Sequence, residues 1–259
     1  EYISGLFVLP AQTARAFLHY GFRGIYLGVC VYLFRGVPFA LTFPPFGKIG
    51  TYHEFLNIFD NFIEGELRNA AMENEIRKSE NPVIVDLGIN LGATVRWWFW
   101  LNPLAKVYGI DMIPESLEFT TDRLATIPGK FSWHGIPAAI SDKTEEFDIQ
   151  YDDPLEGSNS VFSSEGKIKR TVKADTLDNL IRPHSLSSVE VLKIDIEGYG
   201  AIALRKADEL LSKTKYIILE THTEEEISEA NQILAAKGWE LFVVKGRTAF
   251  YRNPSVLAK

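Results

Sequence analysis

Val83-Ile-Val-Asp-Leu-Gly-Ile-Asn-Leu-Gly-Ala-Thr94 is the stretch on which the fold of this chain turns. Val83–Leu87, directly after Pro82, is a short apolar run of the kind that forms a buried strand. Gly88 and Gly92 then let the backbone bend sharply and leave no Cβ in the way of a ligand. The next run, Thr94–Leu101, carries Trp97, Trp98, Phe99 and Trp100 and predicts a helix. A strand that passes through a glycine turn into a helix opens an α/β unit. The helix start presents free N–H groups at the strand's carboxyl end.

The same alternation continues outward. Strands are expected at Ala105–Ile110, Phe131–Ile140, Val189–Ile194 and Tyr216–Leu219, with helices at Pro114–Ile127, Thr176–Ile181, Ala201–Ser212 and Glu225–Lys237. Glu145–Tyr151 and Lys167–Lys173 read as a hairpin around the polar loop Asp152–Gly166, which is expected to be mobile and to border an acceptor pocket. Trp239–Val244 and Thr248–Tyr251 form a closing hairpin. The pattern predicts a mostly parallel sheet with one antiparallel strand, binding its ligand at the strands' carboxyl ends.

Length and composition fit this reading. The chain has 259 residues, 46 % hydrophobic and 24 % charged, which excludes a disordered or low-complexity polypeptide. Cys30 is the single cysteine, so an intrachain disulfide and a cysteine-cluster zinc site are both excluded. A net charge of −7 argues against a nucleic-acid partner. Residues 1–50 differ from the rest: Arg15, Arg23, Arg35 and Lys48 face Glu1 alone, among many apolar and aromatic residues. The apolar run Ile25–Phe34 is too short to span a membrane. Residues 1–54 are expected to form an N-terminal helical and aromatic extension or cap, and residues 55–259 the ligand-binding domain. The extension is a candidate for peripheral membrane contact, and the expected location is cytoplasmic.

The glycine turn is not a dinucleotide fingerprint, because Asn90 stands where the middle glycine would let a pyrophosphate approach. That disfavours an NAD-linked oxidoreductase, the alternative enzyme. Asp86 adds a negative charge suited to an ammonium group. Asp111 ends the second expected strand, where a carboxylate can accept ribose hydroxyls. A ligand with an ammonium, a carboxylate and a ribose fits, and S-adenosylmethionine has all three.

A second constellation closes the fourth strand. In Val191-Leu-Lys-Ile-Asp-Ile-Glu-Gly198, the residues Lys193, Asp195 and Glu197 alternate and so share a face. Such charges on an apolar strand need a cleft or partners. The next strand ends Ile218-Leu-Glu-Thr-His222, bringing Glu220 and His222 to the same edge. Histidine is the usual general base near neutral pH, which makes His222 the first candidate and Asp195 or Glu197 the second. Asp195, Glu197 and His222 are also of the types that hold a divalent metal.

Taken together, Val85-Asp-Leu-Gly-Ile-Asn-Leu-Gly92, Pro137-Ala-Ala-Ile-Ser-Asp142, Thr176-Leu-Asp178, Leu192-Lys-Ile-Asp-Ile-Glu-Gly198 and Leu219-Glu-Thr-His222 resemble the FkbM family of S-adenosylmethionine-dependent methyltransferases. Phe62-Ile-Glu-Gly-Glu-Leu67 resembles the family's segment before the glycine turn, and the likeness runs over about residues 55–252. It implies the class I methyltransferase fold, a Rossmann-like, mostly parallel seven-stranded sheet with helices on both faces. It also implies O-methylation of a small-molecule acceptor such as a sugar, a polyketide or a lipid-linked glycan. By the same resemblance, Asp86, Gly88, Asn90 and Gly92 cradle the methionine part and Asp111 the ribose. Ala139 with Ser141 or Asp142 flanks the adenine, and Asp195 stands near the sulfonium. The chain departs from the family at Ile89, Asp111, Leu67 and Tyr199. A non-catalytic ligand-binding protein on the same fold is the other alternative.

Overall fold

In the computed structural model, Val83–Leu87 is strand β3, an interior strand of a seven-stranded sheet, flanked by the strands Val189–Ile194 and Lys106–Asp111. The structure describes residues 14, 17–18, 21–22, 25, 41–43, 46–58, 61–62, 65–155 and 165–258. Ahead of β3 come the short pair β1 (Leu41–Phe43) and β2 (Gly47–Ile49), then helices α1 (Tyr52–Ile58) and α2 (Ala70–Lys78). After it come α3 (Ala93–Leu101), β4 (Lys106–Asp111), α4 (Pro114–Leu124) and β5 (Ser132–Pro137). Three strands of a second sheet follow, β6 (Ala139–Ile140), β7 (Glu145–Tyr151) and β8 (Ile168–Asp175), and helix α5 (Leu177–Ile181). The second half runs through β9 (Val189–Ile194), α6 (Gly200–Arg205), α7 (Asp208–Leu211), β10 (Thr214–Glu220), α8 (Glu224–Ala236), β11 (Glu240–Lys245), β12 (Thr248–Arg252) and α9 (Pro254–Leu257).

The main sheet has the order β11-β12-β10-β9-β3-β4-β5. Neighbours from β5 to β10 pair in parallel, and β12 is antiparallel to both β10 and β11. This is the expected sheet with its one reversed strand, and its order is that of a class I methyltransferase. Strands buried on both faces must send alternate residues to opposite sides. Ile84, Val107, Val191, Ile218 and Phe250 pack under α2 and α3 with Trp97 and Trp98. Val85, Leu192, Ile194, Ile217 and Leu219 pack on the other side against Leu204, Leu211 and Leu234.

The expected strand Phe131–Ile140 divides in two. Pro137 ends β5, Ala138 bends the chain by donating to the Asp111 carbonyl (3.1 Å), and β6 leaves for a second sheet of order β6-β8-β7. There β7 and β8 are the expected hairpin, antiparallel from Glu145↔Ala174 to Tyr151↔Ile168. Arg170 fastens this hairpin to α4 by two hydrogen bonds to the Glu115 carboxylate, at 2.6 and 2.7 Å.

The expected helix Ala201–Ser212 is also divided. Lys206 and Ala207 leave helical geometry, and the Asp178 side chain accepts from Glu209 N and Leu210 N (both 2.9 Å), starting α7 afresh.

Phe46, Ile49, Ile58 and Phe62 are almost fully buried in the core beneath α3. Arg96, itself 0 % exposed, binds the carbonyls of Phe46 and Lys48 (3.1 and 3.2 Å) and the Glu54 carboxylate (3.2 Å), which Arg123 also holds from 2.7 Å. The described end of the 1–54 segment thus packs into the core of the sheet. Its earlier part, with the proposed membrane contact, lies largely outside the described residues. No helix among the described residues is long and apolar enough to cross a membrane.

Candidate active site

The carboxyl ends of β3, β4 and β9 open into a cleft of about 840 Å³, open mouth included. Its geometry follows from the glycine turn. Gly88 has φ +75, and a Cβ there would lie 1.8 Å from the Asp195 carbonyl oxygen, so the turn can press against the end of β9 only as glycine. Asn90 also takes a left-handed conformation, φ 47. Gly92 (φ +64) starts α3, where a side chain would strike Thr120.

Asp111 ties this turn to β4. One carboxylate oxygen accepts from Ile89 N (2.9 Å) and Asn90 N (3.0 Å), the other from Ile113 N (2.8 Å). Burial pushes its carboxyl up, against these three N–H groups, which favour the anion. Gly88, Asn90, Asp111 and Ala139 all line the cleft. Ile113, Ala138, Ala139 and Ile140 give one end of it an apolar wall, while Asn90 holds a buried amide oxygen with no hydrogen-bond partner. An elongated ligand with a flat ring system at one end and polar, charged groups at the other suits these walls. S-adenosylmethionine is such a ligand.

Other residues expected around the cofactor lie behind the wall. Asp86 is 0 % exposed beneath the turn, accepting from the Trp98 indole (2.8 Å) and facing the Lys193 ammonium at 3.4 Å. Ser141 bonds to Glu145, and Asp142 pairs with Arg205 at 3.2 Å. Of the loop Asp152–Gly166, Pro154 lines the cleft, and residues 156–164 lie outside the described part.

The second constellation gathers at the ends of β9 and β10, with Glu220 and His222 outside the cleft lining. Lys193, Asp195 and Glu197 line the cleft. Asp195 has the Lys193 ammonium 3.3 Å from one oxygen and His222 Nε2 3.8 Å from the other. His222 Nδ1 is 3.5 Å from Glu197. The backbone is set by Glu226, whose carboxylate accepts from Gly200 N and His222 N, both at 2.8 Å. Glu197 sits at φ 42, a conformation that costs a non-glycine residue about 1 kcal/mol or more and tends to mark functional sites.

The charges are mutually adjusted. Asp195, with Glu197, pushes the His222 imidazole up to about 8, against the opposing effect of burial. Burial alone would raise the Asp195 carboxyl, but Lys193 and His222 outweigh it and hold it below the usual range. Burial and the neighbouring Asp195 push Glu220 up to about 7. Lys193 stays protonated, at about 12, because Asp195, Asp86 and Glu220 overcome its burial. His222 is therefore mostly imidazolium at neutral pH, and its base form appears as pH rises toward 8.

Ligand atoms of Asp195, Glu220 and His222 lie within 4.8 Å of one another, so Glu220 takes the place expected for Glu197 in a metal-binding trio. Lys193 already brings a cation to Asp195, which works against a second one there. The sequence reading did not single out Asn57 and Asn61 of the cleft wall, which precede the glycine turn by about thirty residues and carry no motif.

A family model described as the methyltransferase FkbM domain matches residues 86–241. Among curated proteins, hexuronic acid methyltransferase AglP of Haloferax volcanii is 20 % identical over 156 residues. That match covers 60 % of this chain and 62 % of the relative, so it spans less than two thirds of the relative's length. Among solved structures, the precorrin-6y C5,15-methyltransferase of Geobacter metallireducens GS-15 matches with a TM-score of 0.42 and 16 % identity, covering 70 % of this chain and 83 % of that one. Aeropyrum pernix fibrillarin, solved with S-adenosyl-L-methionine bound, matches with a TM-score of 0.43 and 14 % identity, covering 68 % of this chain and 67 % of that one.

Proposed function

We propose, from the premise that this chain belongs to the FkbM methyltransferase family, that it methylates a hydroxyl oxygen of a small molecule such as a sugar or polyketide. The observation that carries the reading is the acid–imidazole cluster of Asp195, Glu197 and His222, whose two acids line the cleft that the glycine turn forms. S-adenosylmethionine supplies an already activated methyl group, so the protein's main task is in-line placement. In this reading Gly88 and Asn90 hold the amino-acid part. Asp111 accepts from the ribose, and the wall at Ala139, backed by Ser141 and Asp142, flanks the adenine.

As the acceptor oxygen bonds to the methyl carbon, the carbon–sulfur bond breaks and the hydroxyl proton must leave. Neutral His222 takes that proton, and Asp195, 3.8 Å from its Nε2, stabilises the resulting imidazolium. Asp195 or Glu197 is the second candidate for the base. A sugar acceptor is supported by the name of the curated relative, a hexuronic acid methyltransferase. The net charge of −7 favours a small acceptor over a nucleic acid. We read residues 1–54 as an extension fastened to the catalytic unit, and a cytoplasmic location belongs to the same proposal.

The test is calorimetric titration with S-adenosylmethionine and with NAD, followed by transfer of labelled methyl groups to a panel of hydroxylated sugars. Binding of the first ligand only, with label appearing as an ether, is the expected result. Binding of NAD, or of neither, rejects the reading.

A further inference from the structure

Every residue of β9 is buried, yet its fifth position is a lysine, only 2 % exposed. Burying an ammonium is costly, and where packing is the sole requirement an apolar residue usually serves as well. What surrounds Lys193 accounts for the charge. Its Nζ donates to the Gly88 carbonyl (2.7 Å) and the Leu87 carbonyl (3.2 Å), both at the glycine turn. The same atom stands 3.3 Å from Asp195 Oδ2 and 3.4 Å from Asp86 Oδ1. Four oxygens from two strands thus converge on one group with three protons, a task suited to a single compact, strongly hydrogen-bonding cation.

Two of these oxygens belong to the turn that faces the cleft, and one to the acid at its mouth. With Oδ2 held by Lys193, the other oxygen of Asp195 is left facing His222. We propose that Lys193 is a positioning residue that fixes the glycine turn and Asp195 relative to each other. The placement of the cofactor and the orientation of the acid then depend on one buried ammonium. This rests on the methyltransferase reading above.

The test compares Asp86→Asn alone with Asp86→Asn combined with Lys193→Met. The combined variant removes both charges of the buried Asp86–Lys193 pair, while the partly exposed Asp195 keeps His222 beside it. The two proteins should melt within a few degrees of each other. The combined variant should bind S-adenosylmethionine about tenfold to a hundredfold more weakly, the usual loss when a group that orients a site is removed. A purely structural lysine predicts equal affinity once stability is matched, and affinities within twofold overturn the proposal. If the methionine variant does not fold, Lys193→Gln on the same background decides by the same measurement. Wild-type protein that fails to bind S-adenosylmethionine overturns the cofactor reading itself, a separately visible outcome.

Discussion

Asp111 does two jobs with one carboxylate. It caps three backbone N–H groups, and it faces the cleft where a ribose is proposed to sit. Asp111→Ala should weaken S-adenosylmethionine binding by about 1.5–3 kcal/mol, the usual value of hydrogen bonds to a charged group. The melting temperature should fall as well, because the turn loses its acceptor. Unchanged affinity in calorimetry would remove Asp111 from the ribose site. At His222 the sign of the pH effect separates activity from stability. Its folded pKa is raised to about 8 from an ordinary 6.5. Its contribution to stability is therefore complete below about 6.5 and lost as pH rises through 8. Base function runs the other way. Turnover should climb over the same window while the melting temperature drifts down, and His222→Ala should lose about 10²–10⁴-fold in turnover with cofactor binding intact. A flat pH–rate profile between 6.5 and 8 counts against the base assignment.

At the scale of elements, the contact between the glycine turn and β9 is the tightest constraint on the site. Gly88→Ala would place a methyl group against a backbone carbonyl that cannot swing aside, on a residue that also needs positive φ. Overpacking of about 1–3 kcal/mol plus about 1 kcal/mol of backbone strain is expected, read as a lowered urea midpoint. A midpoint equal to wild type would mean the turn has more room than its geometry shows. The strand–turn–helix and the reversed last strand were legible in the sequence because apolar runs and glycine spacing are local signals. The division of Ala201–Ser212 was not, since Asp178, some thirty residues upstream, supplies the cap that starts α7. Nor was the break at Pro137–Ala138, where the Asp111 carbonyl turns β6 toward a different sheet. In the site, the end-of-strand acids were readable from alternation. The burial of Asp86 was not, because it depends on Trp98 and Lys193 arriving from other elements.

For the whole molecule, the Glu54 carboxylate joins the early segment to the sheet domain, with Arg96 and Arg123 converging on it. Removing one partner of a buried ion pair leaves the other charge stranded, so Glu54→Ala should cost about 3–5 kcal/mol in chemical denaturation. A loss below about 1 kcal/mol would show that the early segment is held by its apolar contacts alone. The order of strands has a different consequence, one of timing. Among the described residues β11 pairs with β12 only, while β12 pairs on its other edge with β10. During synthesis β11 therefore emerges with no neighbour to receive it, and must wait for a strand made after it. Only two residues, Gly246 and Arg247, separate the pair, so they can zip into a local hairpin within microseconds. A hairpin formed in this way carries the β12 edge that pairs with β10, so both strands can join the sheet together.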